Sequence, residues 1–128
     1  NEITKAILSN RVNLKKIINV VHLEIKKALK LFLKKNKNKE VVILDIPLLL
    51  ENKINKKKDI LVFIDAKKID IERKIKNRIN FNRKLFNKFK KIQYSSKYKK
   101  KRSHFVIKNN FTKKSVKIGI KYILNKIL

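Results

Sequence analysis

Apolar and polar positions recur along this chain at two periods, and the switches between them divide it into elements. Over residues 13–35, Leu14, Ile17, Ile18, Val21, Ile25, Ala28, Leu29 and Phe32 return at the spacing of one helical face, with lysines opposite. Asn13 is the residue placed to cap that helix. A polar connection over residues 34–39 leads to Val41-Val42-Ile43-Leu44-Asp45, a continuous apolar run that reads as a buried strand stopped by an acid. Residues 52–58 are polar again, and Asp59-Ile60-Leu61-Val62-Phe63-Ile64-Asp65 reads as a second buried strand flanked by acids. Ile71, Ile75 and Ile79 mark a helix over residues 68–79, and Leu85, Phe89 and Ile92 mark another after Asn82. His104-Phe105-Val106-Ile107 is a third short strand ending at Asn109-Asn110. Val116, Ile120, Ile123, Leu124, Ile127 and Leu128 predict a C-terminal amphipathic helix.

Strands separated by helices at these intervals predict an α/β fold with a parallel sheet. The basic helical pair at 80–102 breaks the alternation and reads as an inserted flap. A length of 128 residues suits one domain or a piece of a larger one, and 43% apolar residues is ample for a core. No apolar run approaches a membrane span and no signal-peptide layout opens the chain, so a cytoplasmic protein is expected. Without cysteine there is no disulfide framework and no thiolate zinc site. The chain starts at Asn1 and holds no methionine, which makes truncation or processing the expectation.

The net charge of +28 poses a choice. Read literally, it calls for a polyanion, because lysines that neutralise phosphates gain from counterion release. The composition argues for drift instead. Lysine, asparagine and isoleucine are inflated together, and arginine supplies only five of the 37 basic residues, whereas nucleic-acid surfaces use arginine forks. No specific nucleic-acid partner is therefore expected. Residues 97–102 are the one patch dense enough to argue for a small basic RNA- or ribosome-binding protein.

The candidate chemistry lies after the first strand. In an open parallel sheet, sites form just beyond the carboxyl ends of the strands, where Asp45 to Glu51 fall. A carboxylate there suits a magnesium-assisted site, and the only proline, Pro47, turns the chain into Leu48-Leu49-Leu50. No His/Cys/acid cluster has metal-ligand spacing, and no nucleophile–base pair is evident.

Taken together, Asp45-Ile46-Pro47-Leu48-Leu49-Leu50-Glu51, the strand at 60–64, the helix reaching Arg78, then Gln93, Lys99 and Val106-Ile107-Lys108-Asn109 resemble dephospho-CoA kinase, a family of P-loop nucleotide kinases. The resemblance implies ATP-dependent phosphorylation of the 3′-hydroxyl of dephospho-CoA, the last step to coenzyme A, with ATP and Mg2+ as cofactors. It implies a P-loop kinase-like three-layer αβα fold with a helical lid at about residues 80–102. Asp45 matches the strand-end acid that organises magnesium through its waters. Pro47, Leu48, Leu49 and Glu51 match the loop lining the acceptor site, though the two leucines suit a core equally well. Arg78 matches a lid arginine able to brace ATP phosphates. Lys88 falls where another lid arginine is expected, and Lys74 where one precedes Arg78. Both keep the charge but lose the bidentate fork. Asn109 matches an asparagine near the adenine. His22 matches a histidine usually followed by proline, but Leu23 follows it here.

One element of the family is missing from the sequence. A phosphate-cradling P-loop needs several glycines, and the chain has one, Gly119. The family's general base, an aspartate after the second strand, has no counterpart either. The 128 residues thus correspond to roughly the C-terminal two-thirds of one kinase domain, and are expected to be inactive and poorly stable alone. In the family's strand order, 2-3-1-4-5, the strands here are the third, fourth and fifth. The strands at 41–45 and 60–64 would then lack the neighbour between them.

Overall fold

The computed structural model describes residues 2–128 as two compact units, one of residues 2–54 with Arg83–Lys91 and one of Asn55–Asn82 with Ile92–Leu128. In chain order the elements are α1 (Glu2–Ser9), α2 (Arg11–Lys35), β1 (Val62–Asp65), α3 (Lys68–Lys76), α4 (Arg83–Ile92), α5 (Ser96–Arg102), β2 (Phe105–Lys108) and α6 (Lys113–Ile127). None of the helices among the described residues is long and apolar enough to cross a membrane.

In the first unit the helix predicted over residues 13–35 forms as α2, two residues longer at its start, and a helical elbow joins it to α1. Asn10 is the N-cap of α2: its side chain accepts a hydrogen bond from the Val12 N–H at 2.8 Å. Asn13, the expected cap, lies one turn inside the helix and donates to the Ala6 carbonyl at 3.2 Å, tying α2 to the end of α1. Ile7 and Leu14 are buried at this elbow, each contributing about 1.5–3 kcal/mol. The ammonium of Lys88, on α4, donates to the Ile7 and Leu8 carbonyls, a positive charge on the unsatisfied carbonyls ending α1.

The predicted strand at 41–45 does not form: residues 41–46 carry no ladder and are neither strand, helix nor turn. The reason is the absence of a partner. A strand's backbone groups are satisfied by a neighbour, and the only pairing among the described residues joins β1 to β2. Ile43, apolar and central to the run, is 85% exposed.

In the second unit β1 and β2 pair in parallel, Val62 opposite Phe105 and Asp65 opposite Lys108. The ladder extends at both ends, with the Phe105 N–H on the Leu61 carbonyl at 3.2 Å and the Asn109 N–H on the Asp65 carbonyl at 2.7 Å. The His104 ring adds a further tie, its Nδ1 accepting the Leu61 N–H at 2.9 Å. Helix α6, capped by Thr112, packs on β2, burying Ile107 and Ile123 and setting Tyr122 edge-on to Phe105 with ring centres 6.3 Å apart. Gly119 permits this approach, because a Cβ there would stand 2.8 Å from Ile107 Cγ2. Helix α3 stops at Lys76, short of the predicted residue 79. Asn77 caps it through its backbone N–H, which leaves Arg78 in the following turn.

Candidate active site

After residues 41–46 the chain closes into one tight turn of helical type. The Asn52 N–H reaches the Leu48 carbonyl at 3.0 Å, the Ile54 N–H reaches Leu49 at 3.0 Å, and the Lys53 N–H reaches Leu50 at 3.2 Å. The last two bonds form the nested pair that ends helices, with Lys53 in the left-handed position normally held by glycine, at φ 51°. The Asn52 side chain adds a bond to the Leu48 carbonyl at 2.9 Å. Leu48 is also left-handed, at φ 56°, a conformation costing a non-glycine residue about 1–2 kcal/mol. The loop therefore holds two strained residues within six positions, and such strain concentrates at functional sites.

Four acids near the apolar runs are used differently. Asp59 accepts the Lys56 N–H at 2.8 Å and holds a turn. Asp65, at the end of β1, pairs with Lys100 at 2.8 Å. Glu51 is half-buried within the tight turn, beside half-buried Leu48 and Leu49. Asp45 is exposed, next to exposed Pro47, and its carboxylate has no ion-pair or hydrogen-bond partner among the described residues.

The remaining candidates occupy other ground. Arg78 is exposed, with its guanidinium unpaired among the described residues, and its carbonyl accepts the Phe81 N–H at 3.0 Å. Lys88 is engaged on the carbonyls of α1, so a phosphate would have to draw it off them. Asn109 shapes the loop after β2: its Oδ1 accepts the Phe111 N–H at 2.8 Å. Asn110 repeats the motif toward Thr112 at 3.1 Å, and between them Phe111 is forced to φ 63°. Phe111 and Asn109 line an open cleft of about 430 Å³ that continues along α6 to Val116 and Ile120. Lys74, on α3, stands over the Phe111 ring at 5.6 Å.

Pro47, Leu48, Leu49 and Glu51 thus lie in one turn of the first unit, with Asp45 two residues before it, while Lys74 and Asn109 meet around Phe111 in the second. Phe111 was missed by the sequence reading. The signal was there, as an Asn-Asn pair three and two residues before a capping threonine forces a turn on whatever lies between.

A family model described as dephospho-CoA kinase matches residues 1–115. The chain belongs to the dephospho-CoA kinase family. Similar curated proteins carry the same name: one from Wolbachia pipientis wMel is 28% identical over 127 residues, covering 98% of this chain and 65% of that protein. Another, from Fusobacterium nucleatum, is 34% identical over 110 residues, covering 85% of this chain and 56% of its own length. A third, from the Wolbachia of Brugia malayi, is 28% identical over 133 aligned positions, 98% of this chain and 68% of its own. The chain therefore spans between 56% and 68% of these dephospho-CoA kinases. The family match includes the tight turn, β1, α3 and the loop after β2, and ends inside α6.

Proposed function

We propose that this chain supplies the acceptor and lid side of a dephospho-CoA kinase, which transfers the γ-phosphoryl of ATP to the 3′-hydroxyl of dephospho-CoA. The family match carries this reading, and the carboxylate of Asp45, unpaired among the described residues and beside a strained turn, supports it. Phosphoryl transfer needs positioning and charge stabilisation more than covalent chemistry from the protein. The tight turn offers positioning: Leu48 and Leu49 present a short apolar wall, with Pro47 and Glu51 at its ends.

Magnesium suits this donor set. It binds through one or two carboxylates, keeps several waters, and takes its other ligands from phosphates, so one exposed aspartate is a sufficient contribution from this chain. When bound, it neutralises charge on the transferring phosphoryl group. Asp45 would hold the metal's waters. Arg78 would brace phosphate oxygens with a planar fork, and Lys88 would add a point charge after release from α1. Asn109 would hold the loop where the adenine rests. Residues 80–102 would act as the lid.

The test is a coupled assay of coenzyme A formation from ATP and dephospho-CoA by the protein containing this chain. Asp45→Asn is expected to lower kcat by about a hundredfold or more, as loss of a charge-positioning group does. Leu48→Gly, which relaxes the left-handed strain, is expected to raise KM for dephospho-CoA and leave KM for ATP within twofold, on the order of one lost apolar contact. An Asp45→Asn enzyme with unchanged kcat refutes the assignment. Because the 128 residues contain one glycine and no phosphate cradle, they are expected to form no product by themselves.

A further inference from the structure

We propose that residues 94–102 form a contact surface for single-stranded nucleic acid, read through stacking and phosphate charge rather than base sequence. The proposal is independent of the kinase reading and rests on two observations in the second unit.

The first is an aromatic pair kept on the surface. The rings of Tyr94 and Tyr98 stand 4.7 Å apart, tilted by 58°, and remain 41% and 46% exposed. They prop each other up without entering a core. An aromatic face held in water is a platform on which any base can stack. The backbone fixes its placement: Ser95 caps α5 by accepting the Tyr98 N–H at 3.2 Å, which sets Tyr98 on the first turn.

The second observation is how the cations of α5 divide. Lys100 is committed to Asp65 at 2.8 Å, and Lys99 reaches the Gln93 side chain at 3.4 Å. Lys97, Lys101 and Arg102 are exposed, with no partner among the described residues. Lys101 and Arg102 follow Tyr98 by three and four positions, so they share its side of the helix. Arginine adds a planar cation that itself stacks on bases. The scattered lysines of α2 lack this combination, since no tyrosine lies among them. Single-stranded nucleic acid is favoured over an anionic membrane because α5, Ser-Lys-Tyr-Lys-Lys-Lys-Arg, carries no aliphatic side chain to enter a bilayer.

The chain has three tyrosines and no tryptophan, which supplies a direct readout. In a Tyr122→Phe background, all tyrosine emission comes from Tyr94 and Tyr98. Titration with a uridine homopolymer is expected to quench that emission, whereas inorganic polyphosphate, which has charge but no bases, is expected to bind without quenching. The triple variant Lys97→Gln, Lys101→Gln, Arg102→Gln is expected to weaken homopolymer binding about tenfold and to flatten the log affinity–log salt slope by about 2. A control triple on α2, Lys26→Gln, Lys30→Gln, Lys34→Gln, is expected to weaken it no more than threefold. Circular dichroism verifies that each variant keeps its helices. Absence of quenching, equal losses from the two triples, or equal quenching by phosphatidylserine vesicles overturns the proposal.

Discussion

Two segments of this chain read almost alike and end differently. Val41-Val42-Ile43-Leu44-Asp45 and Leu61-Val62-Phe63-Ile64-Asp65 are both runs of large apolar residues closed by an aspartate. The second contains a strand, paired with β2, and its aspartate is tied to Lys100. The first carries no ladder, and its aspartate has no partner among the described residues. Intrinsic preference is the same in both, so preference does not decide the outcome. A strand is a shared structure whose hydrogen bonds belong to two segments, and among the described residues only one run has its second segment. The same contrast separates the two acids. Asp65 is held by Lys100, while Asp45 is exposed.

Breaking the ladder tests this most severely. The flanking bonds from Phe105 to Leu61 and from Asn109 to Asp65 set the ladder's phase, in which Phe63 donates across to β2. Phe63→Pro is therefore expected to cost about 3 kcal/mol or more, and Ile43→Pro, with no ladder N–H to lose, within about 0.5 kcal/mol. Urea denaturation of this chain measures both. Equal losses would mean that residues 41–46 are paired in solution.

A smaller effect is expected from the helix that covers the paired strand. Gly119→Ala places a methyl against the Ile107 side chain at 2.8 Å and is expected to destabilise by about 1–3 kcal/mol, despite a gain of about 1 kcal/mol in helix preference. Adding Ile107→Ala should recover part of that loss, a coupling read from the double-mutant cycle.

The smallest effect, opposite in sign, is expected in the turn after the unpaired run. Lys53→Gly removes the left-handed penalty at φ 51° and is expected to stabilise by about 0.5–1 kcal/mol, measured by the same denaturation.

The helices were largely legible because each carries its own periodicity and caps. Leu85, Phe89 and Ile92 announce α4, and Thr112 announces the start of α6. Their ends were harder to read. Asn10 and Asn13 are equally good caps by type, and α1 decides between them by offering the Ala6 carbonyl to the second. The tight turn was legible at Pro47 but not at Lys53, since nothing in a lysine foretells a left-handed backbone. The place of Lys88 in the motif points to a nucleotide contact. Its engagement on α1 depends on residues 81 and 80 positions away, which no local pattern reveals.

By itself the sequence determined the α/β alternation, the family and the turn that follows Asp45. Each is written in local spacing or in a contiguous motif, where a few neighbouring side chains decide the outcome. Tertiary structure alone decided which of two near-identical apolar runs becomes a strand, and hence which of the two closing aspartates has no partner among the described residues. It decided this because backbone hydrogen bonds and burial are satisfied between segments, and the partner's position is not encoded in the run that needs it.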